Sequence, residues 1–181
     1  MAHFETKQSS ETLFEGRVIR LTKDTVVLEN GSVSTREVVH HNGGAAVIAL
    51  NAQDEVYLVR QYRYAVQQEL LEIPAGKLDQ GENPFEASKR ELLEEAGITA
   101  NQFYDLGAII PTCGYCNEKI FLYAAKDITV KTQNLDPDEF VSVVVMPFEQ
   151  AVAKVLCGEI TDSKTVAAIL KLKLLKEKNE F

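Results

Sequence analysis

In the stretch GKLDQGENPFEASKRELLEEAGI, from Gly76 to Ile98, the acidic residues Glu86, Glu91, Glu94 and Glu95 fall on what reads as one short helix. Glu91 and Glu95 are four apart and Glu91 and Glu94 three apart, so the three carboxylates project from neighbouring points of one face. They repel one another, and they occupy the last two turns, where the helix macrodipole disfavours negative charge. Each effect costs only about 0.3–1 kcal/mol when the side chains are solvated, and Lys89 and Arg90 stand nearby, so a plain charged face is one reading. The other is chemical. Phe85, Leu92 and Ala96 recur at helical spacing as a buried stripe, with Glu91 and Glu95 on its flanks. Carboxylates partly withdrawn from water attract a cation. Their hard oxygens suit Mg²⁺ or Mn²⁺, which bind one or two carboxylates together with substrate phosphates and retained waters. A divalent-metal phosphate site is therefore the leading reading. Glu86 drops out as a first-turn acid at the favourable end of the dipole.

The elements that position these residues are legible around them. Asn83 is a good N-cap, Pro84 suits the first helical position and Gly97 is a natural stop, which predicts a helix over 84–96. Upstream, LFEGRVIRLTKDTVVLENGSVSTREVVHH reads as an antiparallel ribbon with a hairpin at Asn30-Gly31. GAAVIALN, EVYLVRQYR and QELLEIPAG are strands, the last ending at Pro74. Downstream, FYDLGAII, KIFLYAAKDI and EFVSVVVMP are strands, with PTCGYCNE as a loop, and FEQAVAKVL and DSKTVAAILKLKLLKEK are amphipathic helices. This order predicts an α+β domain whose mixed sheet is covered by helices. Disorder is expected only in the first ten or so residues and the last few.

The chain has 181 residues, enough for one ordinary domain with a small extension, and a formal net charge of −8. That charge argues against general adhesion to nucleic acid or anionic membranes, though not against an anionic small substrate reached through a cation. No apolar run approaches the roughly 18 residues of a spanning helix, and the opening MAHFETKQSS lacks the apolar segment of a signal peptide, so a cytoplasmic protein is expected. Three cysteines are too few for a disulfide framework. Cys113 and Cys116 have the spacing of a zinc or redox pair, but no second ligand pair is close in sequence and a strand rather than a helix follows. They read as loop cysteines.

The spacing from Gly76 through Glu82, Arg90-Glu91, Glu94-Glu95 and Gly97 to Ile98 reproduces the Nudix box at every fixed position, and the chain resembles the Nudix hydrolase family. That resemblance implies a mixed β-sheet sandwiched between helices and hydrolysis of a nucleoside diphosphate linked to another group, with divalent metal held by the box helix. It implies Glu91 and Glu95 as metal ligands, Glu94 beside them and the Ala75 carbonyl as a backbone ligand. Glu82 and Arg90 correspond to the pair that braces the loop on the helix, Gly76 and Gly97 to structural positions. The cofactor expected is Mg²⁺, with Mn²⁺ as an alternative. In the acidic stretch LDPDEFVSV, which offers Asp136, Asp138 and Glu139, Glu139 corresponds best to a metal-binding or catalytic glutamate; a solvated acidic turn is the competing reading.

Outside the box, EGRVIRL, REVVHHNGGAAVIAL, VYLVRQYR, LEIPAGKL and the C-terminal helix resemble bacterial ADP-ribose and nucleoside-diphosphate-sugar pyrophosphatases. The expected division is an N-terminal ribbon and dimerisation segment over 1–42 and a Nudix hydrolase domain over 43–181, working as a homodimer. Arg36, Arg60 and Arg63 become candidates for substrate phosphates or the terminal sugar, with Glu72 and Glu118 as weaker ones; each arginine alone reads equally as a surface residue. The expected reaction is Mg²⁺-dependent cleavage of the pyrophosphate of ADP-ribose or a related sugar nucleotide. Its alternatives are another Nudix substrate, such as a dinucleoside polyphosphate or an oxidised nucleotide, and a non-catalytic sugar-nucleotide sensor. One departure stands out: Pro111-Thr112-Cys113-Gly114 replaces the Ser-Pro-Gly-like turn of the ADP-ribose group, which puts exclusive specificity in question.

Overall fold

The computed structural model describes residues 3–137 and 139–181. The chain forms two compact units, one comprising residues through Gly43 with Ile110–Lys119, the other Gly44–Ile109 with Ile120–Phe181.

The first unit is a three-stranded antiparallel meander of β1 (Thr6–Glu15), β2 (Arg20–Val27) and β3 (Val33–His40). The predicted hairpin joins β2 to β3: Gly31 has φ +83°, its amide donates to the Leu28 carbonyl at 2.9 Å, and the Asn30 side chain accepts from the Ser32 amide. The expectation of a disordered start is corrected here, because residues 6–10 belong to β1 and pair with β2 from Thr6 opposite Val27. The strand was hidden because every residue of β1 is exposed within the chain, so no buried face imposes an apolar alternation. Its register is marked instead by a polar pair, Ser10 Oγ donating to the buried Asp24 at 2.5 Å. The loop 110–119 joins this unit through Val39, whose amide donates to the Tyr115 carbonyl at 2.7 Å.

The second unit is built on a seven-stranded mixed sheet in the order β10-β5-β4-β9-β8, with β6 on β5 and β7 on β4. The strands are β4 (Gly44–Leu50), β5 (Glu55–Arg63), β6 (Gln68–Glu72), β7 (Ala75–Lys77), β8 (Ile98–Ile109), β9 (Ile120–Val130) and β10 (Val141–Pro147). β4 and β9 are parallel; the other pairs are antiparallel. Every residue of β4 is buried, which explains its unbroken apolar run: both faces are covered. Ala46, Ile48 and Leu50 face a core with α2 (Phe148–Leu156) and α3 (Ser163–Glu177), through Phe148, Ile169 and Leu172. Val47 and Ala49 face the opposite way, against Leu92 and Ala96 of α1 (Pro84–Ala96). This is the expected α+β sandwich. The expected strand ending at Pro74 is followed, after Pro74, by a second short strand, so that β6 serves β5 and β7 serves β4, and the break runs directly beneath α1. β8 begins at Ile98, five residues before the predicted start, straight after the helix stop. Among the described residues no helix is long and apolar enough to cross a membrane.

Candidate active site

The helix that carries the acidic cluster is set at both ends by local chemistry. Asn83 accepts from the Phe85 amide at 2.9 Å and Pro84 fills the first turn. Gly97 closes the helix at φ +63°, and a side chain there would meet the Lys131 carbonyl at 2.5 Å, so the position demands glycine twice over. The helix has no basic residue in its last turn. Its terminal carbonyls are covered instead by the segment after β9: Lys131 N donates to Gly97 O, Gln133 Nε2 to Glu95 O and Asn134 N to Glu94 O. These contacts also lead the chain back towards Glu139.

Glu91 and Glu95 lie deeper than the flanking position expected of them, at 8 % and 3 % exposed. Both turn onto β7, whose first two residues, Ala75 and Gly76, form a strap against them. Glu95 Oε2 accepts from the Ala75 amide at 2.8 Å. Glu91 packs so closely on Gly76 that a methyl group there would stand 1.9 Å from its Oε1, which is why the box position is glycine. The Ala75 contact shown is through its N–H; the carbonyl remains a proposed ligand. Glu91 Oε1 also accepts from Arg90 Nη1 at 2.7 Å. The second oxygen of each, Glu91 Oε2 and Glu95 Oε1, makes no hydrogen bond among the described residues.

Arg90 is the hub of this face. Its Nε and Nη2 grip both oxygens of Glu82 at 3.1 Å, and Nη1 reaches Glu94 as well as Glu91. Arg90 holds the Glu82 carboxyl below its ordinary pKa. Glu82 in turn accepts from the Asp79 amide, tying down the loop before the helix. Thus Arg90 acts both as the brace and as the helical partner of Glu94.

One guanidinium cannot neutralise the cluster. Burial pushes the Glu91 carboxyl above its ordinary pKa against the pull of Arg90, and the charges of Glu94 and Glu139 add to the push. Burial raises Glu95 to about 8, opposed by the Ala75 amide and Arg63 and reinforced by Glu91 and Glu139. Two buried hard-oxygen donors starved of positive charge fit a divalent cation. Among the described residues no three acidic, histidine or cysteine side chains are gathered tightly enough to form a full ligand cage. Two carboxylates are the donor set of an ion such as Mg²⁺, which keeps waters and takes phosphate oxygens. Glu139 lies within electrostatic reach of the pair, and its carboxylate accepts weakly from Asp136 N at 3.4 Å. Asp138 lies outside the described residues.

The other candidates are placed as follows. Arg63 and Glu72 find each other, Nε and Nη2 each donating at 2.7 Å to the 1 % exposed carboxylate. Lys164 binds the same carboxylate. Burial works to raise Glu72, but Arg63 and Lys164 outweigh it and leave the group below its ordinary pKa. Arg60 is exposed, with Glu69 at 3.9 Å. In the first unit, Arg36 donates from Nε to Glu5 at 3.0 Å and lines a cavity of about 580 Å³ with His3, Phe4 and Glu29. Glu118 stands 3.4 Å from His41 Nδ1, in the loop that carries the free thiols Cys113 and Cys116. Sequence reasoning missed Lys164, Gln133 and Asn134. Only Lys164 left a signal, a basic residue in the first turn of a helix, where the dipole disfavours it.

Comparison with known proteins agrees with this geometry. Residues 40–169 match the NUDIX domain, and residues 5–39 match the nucleoside diphosphate sugar hydrolase N-terminal domain. The chain belongs to the Nudix family. This Nudix hydrolase is 40 % identical over 174 residues to the methanol dehydrogenase activator of Bacillus methanolicus, covering 94 % of each chain. It is 38 % identical over 168 residues to the ADP-ribose pyrophosphatase of Bacillus subtilis (strain 168), covering 92 % of this chain and 91 % of the relative. A crystal structure of an ADP compounds hydrolase superposes with a TM-score of 0.83 at 23 % identity, over 98 % of this chain and 97 % of that one, which establishes the fold.

Proposed function

We propose that this Nudix hydrolase cleaves the pyrophosphate of ADP-ribose or a related nucleoside diphosphate sugar, with Mg²⁺, to a nucleoside monophosphate and a sugar phosphate. The observation that carries the reading is the buried Glu91–Glu95 pair on the Ala75–Gly76 strap, each with one oxygen to spare and no adequate counter-charge. The substrate class is supported by the match of residues 5–39 and by the Bacillus subtilis relative.

When bound, a divalent cation would offset the charge on the pyrophosphate oxygens and activate water for attack. Glu91 and Glu95 would hold it, with the Ala75 carbonyl and Glu139 as further donors and Glu94 at the rim. Arg90 and Glu82 keep Glu91 in place and the preceding loop closed. Arg63, half-exposed beside the pair, offers a guanidinium edge to phosphate; Arg60, which strand alternation puts on the opposite face of β5, is a further proposed contact. Glu139, on the segment anchored to the C-terminus of α1, is the proposed general base or an additional ligand. The chain's own contribution is positioning and electrostatics around a doubly charged bond.

The homodimer belongs to the same reading. Leu13 and Phe14 at one end of the ribbon and Val33 at the other are 48 %, 54 % and 62 % exposed, apolar side chains that a second copy would cover. Arg36 and Glu118, both in the ribbon unit, are further proposed substrate contacts.

The test is product analysis with Mg²⁺ on ADP-ribose, GDP-mannose, UDP-glucose, diadenosine polyphosphates and nucleoside triphosphates. Turnover should be highest for a sugar nucleotide, giving monophosphate and sugar phosphate. Preference for a dinucleoside polyphosphate or a triphosphate would replace the substrate assignment, and no turnover of any would favour a sensor.

A further inference from the structure

Lys164 is a buried cation for which the chemistry above has no use. It lies in the first turn of α3 at 7 % exposed, bonded to Glu72 and 3.0 Å from Asp162 Oδ2. Asp162 is also the N-cap of α3, accepting from the Thr165 amide at 3.0 Å and the Thr165 hydroxyl at 2.6 Å. Arg63, Glu72, Lys164 and Asp162 together carry two positive and two negative charges, so the group is closed electrically.

A bidentate arginine–carboxylate pair is already complete in geometry, and taking an ammonium out of water is expensive. What Lys164 adds is a third fixed contact on the Glu72 carboxylate. With Lys164 on Oε2, the plane of the carboxylate cannot swing, and a guanidinium docked on it cannot swing either. The same turn fixes the backbone next door, since Ile73 N donates to the buried Thr165 Oγ1 at 2.9 Å. Arg63 uses Nε and Nη2 on Glu72, while Nη1 makes no hydrogen bond among the described residues and the side chain is 40 % exposed.

We propose that Lys164 is a positioning residue for the hydrolase reaction: held by Asp162, it locks Glu72 so that Arg63 presents its Nη1 edge to a substrate phosphate in one orientation. Lys164 touches no substrate. The inference rests on the reading that the site takes a nucleoside diphosphate sugar.

The experiment has a spectroscopic arm and a kinetic arm. In protein carrying ¹⁵N-arginine, with the Arg63 Nε–H signal assigned by its loss in Arg63→Lys, the wild-type signal exchanges slowly with solvent. Lys164→Met speeds that exchange about tenfold, as expected when a local lock is opened. With ADP-ribose and Mg²⁺, Lys164→Met raises KM at least about fivefold while kcat stays within about threefold, the signature of a lost charge-assisted contact in binding. The same substitution adds nothing further to Arg63→Lys. Asp162→Asn/Lys164→Met removes one charge of each sign and keeps a capping residue, so it serves if the single variant does not fold. Unchanged Arg63 exchange in either variant overturns the proposal, as does a full KM effect of Lys164→Met on top of Arg63→Lys. Wild type inert towards every sugar nucleotide would overturn the functional reading, and the exchange arm would still decide whether Lys164 holds Arg63.

Discussion

Two glutamate sites in the second unit are buried to similar depth and end in opposite electrical states. Glu72 is 1 % exposed and carries Arg63 and Lys164 on its carboxylate; Glu95 is 3 % exposed and carries a single backbone amide. Burial pushes both carboxyls towards neutrality. At Glu72 the two cations win and the pKa falls, whereas at Glu95 burial wins, the neighbouring glutamates add to it, and the pKa rises to about 8. A protein that can provide two cations for one buried acid has left another pair with one bond to Arg90, through Glu91, and the charge of Arg63. The difference separates a carboxylate whose counter-charge the chain supplies itself from a pair fit to receive positive charge from outside.

Breaking each half should give opposite results. Glu95→Gln is expected to lower kcat by about a hundredfold or more, since it removes a proposed metal ligand, yet to leave the metal-free fold intact or stabilised. Glu72→Gln strands two buried or half-buried cations and is expected to destabilise the fold by about 3–5 kcal/mol, read as a lowered denaturant midpoint. If Glu95→Gln kept full turnover, the metal assignment would fail.

The pH dependence sharpens the same contrast. Glu95 has a folded pKa above its unfolded value, so the native state holds more protons between about pH 4.5 and 8, and stability from this group is lost as pH rises through that window. Glu72 has the reverse sign: its contribution is present above the unfolded pKa and lost as pH falls through the folded one. In EDTA, the Tm of the wild type should fall by about 5–10 °C between pH 5.5 and 8.5 relative to Glu95→Gln, and millimolar Mg²⁺ should remove the difference. A wild-type curve parallel to that of Glu95→Gln would contradict the raised carboxyl.

Smaller effects follow at the strap and the loop. Gly76→Ala puts a methyl group on the Glu91 carboxylate, the movable end of a side chain, so the fold should survive while Mn²⁺ affinity drops about tenfold. Cys113→Ser changes an exposed free thiol and should alter stability by no more than about 0.5 kcal/mol, read from the denaturant midpoint.

Much of this was legible because short-range rules apply to it. The span of α1 follows from Asn83, Pro84 and Gly97, and α2 from its apolar spacing, so the predicted bounds match the observed ones. The box spacing identified the acids because their separation along one helix is itself the geometry. What escaped was long-range. The first part of β1, before Leu13, was missed because its pairing to β2 buries neither of its faces. Lys164 is 92 residues from Glu72, and nothing in the local pattern DSKT says which acid it meets. Gln133 and Asn134 read as loop residues, and only the fold shows them closing the end of α1. The pairing of Arg63 with Glu72 was equally invisible: the sequence offered both as substrate contacts, and the structure joins them to each other first.

The most direct test is a calorimetric titration of Mn²⁺ into metal-free protein without substrate, comparing the wild type with Glu91→Gln/Glu95→Gln and with Glu94→Gln. The wild type should bind, the double variant should lose at least about a hundredfold in affinity and Glu94→Gln no more than about tenfold. Equal binding by the wild type and the double variant would show that the buried pair on α1 is not where the cation goes.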